Sequence, residues 1–308
     1  MAVTTDRPPG TEPGGDTAEP RRGRISAWLH RHRGAQLGLT LGAPLGWMLV
    51  VYLGALVLLL VTSFWKLNPL SQFIERTFTL ENYQQLLTEP SFRTVALRTL
   101  GMSVAVTVTD IALAFPIAYY AARIATPRAR NAVLVAVVLP LWSSYLVRVF
   151  AWRTILEGGG PAQWLLSHIG LGGVRLTYSN WAIWIAFTYL WLPFVILPIF
   201  AALDRIPSSY LDASGDLGAR SGTTFRRVIW PLALPGIVAG SIFSFSLTLG
   251  DYIAPTLVGN TRFIGNVIYD NVGVANNVPL AAAFALVQVA IMAVYLTVAR
   301  RLRAFEAL

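Results

Sequence analysis

The stretch Ile206–Gly236, IPSSYLDASGDLGARSGTTFRRVIWPLALPG, is polar and charged, yet strongly hydrophobic runs flank it on both sides. Ile206, Tyr210, Ala213, Ser214 and Leu217 recur at helical spacing, and Pro207 with Ser208 stands where a helix start signal belongs. Gly218 falls where a first short helix must stop or turn, because glycine readily takes the left-handed conformation that ends helices. A second, basic segment from Thr223 to Arg227 runs into Trp230-Pro231 and the next apolar run. A helix–turn–helix held between membrane spans makes a docking knob for a soluble partner.

Working outward, the whole chain is built for a bilayer. It has 308 residues, 55% hydrophobic and only 13% charged, with a mean hydropathy of +0.57. That balance describes a polytopic membrane protein rather than a soluble domain with an apolar core. The net charge of +9 does not point to nucleic acid, because the cations are nearly all arginines clustered between hydrophobic spans, with Lys66 the only lysine. There are no cysteines, which excludes a disulfide framework, a thiol nucleophile and a cysteine-ligated metal. His30, His32 and His168 show no metal-binding spacing.

Residues 1–42 read as a tail, disordered at first and then basic at RRGR and RHR, with no cleaved signal peptide expected. A first span covers 43–65, bracketed by Trp47 and Trp65, and is long enough to cross at ~20 residues. Residues 66–92 read as an external loop with a short helix around TLENYQQLL. A core of 93–303 holds five more spans, at about 93–122, 131–155, 181–203, 231–253 and 280–299, with the polar loop at 204–230. The expected fold is therefore an all-α polytopic membrane protein with six transmembrane helices. Sixteen of the 24 basic residues fall in the N-terminal tail, the segment around Arg123–Arg130, the 204–230 loop and Arg300–Arg303. By the positive-inside rule, both termini and that loop are expected in the cytoplasm.

Charges inside spans mark sites, because each costs at least ~2.5–3.5 kcal/mol near the bilayer centre and must face a cavity or a partner. Asp110 sits mid-span in SVAVTVTDIALAFP. It is either an anion on the translocation path or a carboxylate paired with an arginine or capped by neighbouring hydroxyls. Asp251 sits in SLTLGDYIAPT, where Gly250 and Pro255 loosen the end of a span. It is either a structural end-of-helix residue or, beside Tyr252, a group suited to a cationic substrate that aromatic faces also attract. Trp142 and Tyr145 join the candidate pathway. Arg148 and Arg153, in the same LPLWSSYLVRVFAWRTIL, read as interfacial anchors. No catalytic constellation can be assembled, and no GxxxxGK[ST] phosphate loop is present.

The 206–236 stretch resembles the EAA loop of permease subunits of bacterial ABC importers: Glu-Ala-Ala, three residues, Gly, nine residues, then Ile-x-Leu-Pro. Here the positions read Asp212-Ala213-Ser214, Gly218 and Val228-Ile229-Trp230-Pro231, with both spacings kept. The departures are Asp for Glu, Ser for the second Ala, and Val-Ile-Trp before the proline. The resemblance implies a type I importer permease fold, and a loop that docks on the ATP-binding subunits through Tyr210, Asp212, Ala213, Ser214, Asp216, Leu217, Gly218, Ala219 and Arg220. It further implies that this chain binds no cofactor, ATP-Mg being held by the cytoplasmic ATP-binding subunit dimer. The other expected partners are a second permease, homologous or identical, and an external substrate-binding protein, around a multi-pass chain in the bacterial inner membrane. LPLWSSYLVRVFAWRTIL, TLGDYIAPTLVG and IGNVIYDNVG look like the B-type permease of spermidine/putrescine importers, which makes polyamines the implied cargo. The alternatives are a related importer for another small solute and an ion-gradient-driven carrier. The carrier would show inverted repeats and broken helices, neither of which is evident in the sequence.

Overall fold

The computed structural model describes residues 33–174 and 176–301, so the expected tail up to residue 32 and the last seven residues lie outside the described part of the chain. Two compact units divide between Val57 and Leu58. Within the first lies most of helix α1 (Arg33–Ser63), which starts ten residues before the expected span and so takes in the end of the expected tail. Its large side chains from Trp47 to Val57 are exposed and apolar on every face, as in a helix surrounded by lipid.

The second unit begins with the end of α1 and a two-residue hairpin, β1 (Lys66–Leu67) antiparallel to β2 (Ile74–Glu75). Asn68 turns it, its Oδ1 accepting the Leu70 and Ser71 amides. Helix α2 (Glu81–Thr88) follows. Its buried Asn82 donates to the Ser63 and Trp65 carbonyls at 2.9 and 2.8 Å, satisfying acceptors that the end of α1 leaves open. The segment expected as a loop with a short helix thus also carries a hairpin.

Three long helices form the core: α3 (Pro90–Tyr119), α7 (Asn180–Asp204) and α10 (Trp230–Gly250). They bury Val106, Ala114, Phe187, Leu190, Val195 and Ile199 between them. The α7–α10 approach is close because α10 has no side chain at the crossing. A Cβ on Gly240 would lie 3.0 Å from Val195 Cα, and one on Gly236 only 2.5 Å from Pro198 O. Helix α13 (Val278–Arg301) packs through Leu280, Ala283 and Phe284 on Val95, Ile264 and Val267.

The expected third span is not one continuous helix. It is α4 (Pro127–Val138), a 3-10 turn at Leu139–Trp142 and α5 (Tyr145–Leu156), followed by α6 (Pro161–His168), with the two halves of the broken pair bent by 99°. Pro140 removes a helical donor, and Ser143 and Ser144 are extended, so the chain turns there. Among the described residues, five helices are long and apolar enough to cross a membrane, or six spans if the bent pair counts as one. A broken helix, not evident from the sequence, is therefore present. The fifth expected span also stops earlier, at Gly250: Asp251 is extended, and the chain restarts as α11 (Ile253–Val258) and α12 (Ile264–Gly273).

Two further irregularities are π turns, one remote in sequence from the 206–236 loop and one within it. Helix α3 ends in a π turn at Tyr120–Ile124, and α10 is preceded by another at Phe225–Ile229. Just ahead of the second lie α8 (Ser208–Asp216) and α9 (Ser221–Thr224), the helix–turn–helix expected from the spacing.

Candidate functional site

The loop is built as its residues dictate. Pro207 starts α8 in extended conformation, and Gly218 ends it at φ +75°. The Ala219 amide bonds Ser214 O at 3.0 Å and the Gly218 amide bonds Gly215 O at 2.8 Å. This is the paired closure of a helix that terminates on a left-handed glycine. Ser214 and Thr224 hydroxyls meet at 2.8 Å and tie α8 to α9. Tyr210, Ala213, Ser214, Leu217, Gly218, Ala219 and Arg220 line an open hollow of about 710 Å³ between the two helices, with Thr223 and Arg227 on its other side. Leu217 is 88% exposed, a large apolar group held out from the protein. Asp212 and Asp216 are exposed too, and neither forms an ion pair among the described residues. The surface therefore presents an apolar knob beside uncompensated carboxylates.

At the opposite end of α10, the break after Gly250 gathers a second group. Asp251 Oδ1 accepts the Ile253 and Ala254 amides at 2.8 and 3.0 Å, starting α11. Its Oδ2 accepts the hydroxyl of Tyr145, from the first residue of α5. The Tyr145 ring stacks on Trp191 of α7, centroids 5.8 Å apart, and the Arg148 guanidinium lies 6.0 Å from the Tyr145 centroid. Tyr252 stacks on Tyr269 at 4.7 Å, and Asn266 holds Tyr252 O and the Thr256 hydroxyl. Tyr145, Trp191, Ser246, Leu247, Gly250, Asp251, Tyr252 and Ile253 line an open cavity of about 310 Å³. A carboxylate backed by amides and walled by aromatic rings can receive an ammonium group, by charge and by the ring faces together.

Of the pathway candidates, the structure brings Tyr145, Asp251 and Tyr252 together. Trp142 is 87% exposed in the turn at the bend, away from the cavity lining. Asp110 is fully buried between α3 and α10, where its Oδ2 accepts from Ser244 at 2.6 Å. The Arg148 reading changes: among the described residues its Nε and Nη1 are buried without partners, near the aromatic wall rather than free at an interface. Arg153 donates to Tyr178 at 3.2 Å. Trp191 was missed, since a tryptophan that is one of three in a long apolar run gives no sign of which neighbour it faces. Its position two residues before Pro193, far from either end of α7, was the only available hint.

Residues 104–305 match the family described as "Binding-protein-dependent transport system inner membrane component". The chain is similar to the inner membrane ABC transporter permease protein YdcU of Escherichia coli (strain K12), 44% identical over 94% of this chain and 97% of the relative. It is also similar to the spermidine/putrescine transport system permease protein PotB of Haemophilus influenzae, 30% identical over 84% and 91% of the two chains. Among solved structures, a chain of a bacterial alginate ABC transporter, in complex with an alginate pentasaccharide-bound periplasmic protein, superposes with a TM-score of 0.71. That match has 17% identity and covers 92% of this chain and 99% of the other.

Proposed function

Since the chain belongs to the binding-protein-dependent transport system inner membrane component family and is an ABC importer permease, we propose that its cargo is a polyamine of the spermidine/putrescine class. The observation that carries this reading is Asp251, a carboxylate at a helix break inside a cavity walled by Tyr145, Trp191 and Tyr252. Similarity to PotB supports it. Arginine placement supports a chain in the bacterial cytoplasmic membrane with both termini and the 206–236 loop inside. On that topology the loop meets a dimer of ATP-binding subunits, which hold ATP-Mg and hydrolyse it. The Asp251 cavity then faces a second permease and the external binding protein that delivers substrate. The loop acts by making different contacts with the ATPase dimer in its open and closed states, since equal contacts would shift nothing. Asp212, one methylene shorter than the usual glutamate, and exposed Leu217 are its principal contacts.

The second reading, an importer for a different small solute, draws on Arg148, whose buried nitrogens beside Tyr145 would suit an anionic group. The test is uptake by the assembled importer in liposomes, with labelled spermidine and putrescine competed by neutral and anionic solutes. Import of amines that neutral and anionic solutes do not compete away is expected; import of an anion with no amine uptake would sink the polyamine reading.

A further inference from the structure

Beneath the loop, the segment joining α3 to α4 reaches across to its root. Arg123, in the π turn that ends α3, donates through one Nη2 to the carbonyls of Leu203 and, at 2.6 Å, of Ile206. Those carbonyls belong to the last turn of α7 and to the residue before Pro207, where α8 begins. Seven residues on, Arg130 pairs with Asp204 at 2.8 Å, its guanidinium 4.9 Å from the centroid of the Phe200 ring. Two cations thus grip the C-terminal end of one helix, where open carbonyls and the helix dipole favour positive charge. Phe115, two turns before Arg123, packs 5.6 Å from Phe225 and 5.5 Å from Trp230, on the return side of the loop.

A simple helix cap does not account for all of this. Among the described residues Arg123 Nε is buried with no partner, and a buried orphan donor is uncommon outside places that store strain or serve function. The π turn that aims Arg123 is itself a costly local geometry, kept mostly at functional positions. The same segment continues through α4 to the bend and then to Tyr145, which holds Asp251. A continuous run of chain therefore joins the root of the loop to the wall of the cavity.

We infer that Arg123 is a positioning residue of the import cycle: by holding the carbonyls of Leu203 and Ile206, it makes the root of the 206–236 loop move as one body with the α3–α4 elbow. Displacement of α8 by the ATPase dimer then reaches the bent span and Tyr145 instead of being absorbed where α7 meets α8. Arg130, more exposed and screened, plays a secondary part. The inference rests on the reading of 206–236 as the coupling loop.

The test uses the complete importer in liposomes, with cargo uptake and ATP hydrolysis measured on the same preparation. Arg123→Met keeps length and removes every donor, and is expected to lower uptake per ATP by about tenfold, on the scale of ordinary coupling between sites, with hydrolysis retained. Arg123→Lys restores part of the ratio, since an ammonium reaches a carbonyl but lacks the planar fork. A Gly218→Val importer, run alongside, separates the two readings. Uncoupling by Gly218→Val with a wild-type ratio in Arg123→Met overturns the clasp and leaves the loop standing; wild-type ratios in both overturn the loop and the clasp with it. Should Arg123→Met fail to assemble, the absence of cysteines from this chain lets it be spin-labelled at Arg128→Cys and Ser209→Cys alone before assembly with its partners. An unchanged label distance between nucleotide-free and ATP-bound importer is expected, and separation of the labels on ATP binding overturns the inference.

Discussion

The two ends of α10 follow opposite rules. Before its first residue, the chain makes a loop from one unbroken stretch: α8, the Gly218 closure and α9 are contiguous and exposed, tied to the rest only at the root, where Arg123 holds the Ile206 carbonyl. After its last residue, the cavity takes Tyr145 from α5, Trp191 from α7 and Asp251 with Tyr252 from the break, segments separated by dozens of residues. The loop presents exposed surface, Leu217 foremost, whereas the cavity holds its carboxylate among aromatic walls drawn from several segments. A local motif is decided by its own residues, above all at its turn. A composite site depends on every wall, and on the helix packing that brings the walls together.

Substitutions at the two ends probe that contrast. Asp251→Asn is expected to have the largest effect, cutting polyamine uptake by roughly 10- to 100-fold, since a hydrogen bond to a charged group is worth about 1.5–3 kcal/mol. Expression and assembly should hold, because the amide still accepts the Ile253 and Ala254 amides through its oxygen; radiolabelled uptake normalised to membrane-inserted protein checks this, and equal uptake would return Asp251 to a structural role. Gly218→Val comes next. Forcing a β-branched residue to φ +75° costs about 1–2 kcal/mol or more locally and should drop uptake about tenfold while the chain still inserts. Retained uptake would show that the end of α8 does not set the docking geometry.

Trp191→Leu tests the cavity wall, at a ring that also packs in the core beside Phe187 and Phe194. Loss of one ring face should raise the apparent KM for a diamine by roughly 2- to 10-fold, from about 0.5–1 kcal/mol or somewhat more of cation–π attraction, and leave the maximal rate near wild type. A fall in maximal rate with unchanged KM would make Trp191 a packing residue. The smallest effect is expected at Asp110→Asn. Ser244 keeps an acceptor, the Asp251 cavity is untouched, and uptake should stay within about twofold, the scale of a mild change in one buried hydrogen bond. A large loss of polyamine uptake with normal insertion would place Asp110 on the path after all.

The share legible in sequence follows the same division. Spacing over Ile206–Leu217 was enough to place α8, and Gly218 enough to end it, because caps and left-handed turns are decided within a few residues. Long apolar runs located α1, α3, α7, α10 and α13 for a related reason: in lipid, a helix must satisfy its own backbone. Asp251 was legible as a charge needing a reason, and Gly250 as the place where its helix loosens. The 99° bend was not, since an apolar segment containing one proline reads like a straight span until its packing is known.

The same holds for the partners of Asp110, Asp251 and Arg123. Hydrophobicity is summed along the chain, so a membrane-spanning protein with a polar helix–turn–helix between two spans could be read from residue order alone. The meeting of Tyr145 with Asp251, or of Arg123 with Ile206, depends instead on how α3, α5, α7 and α10 cross. Close crossing is settled at single positions such as Gly236 and Gly240, where a missing side chain lets two backbones touch. What the loop is tied to, and which walls surround the buried charge, therefore emerged only once the helices were packed.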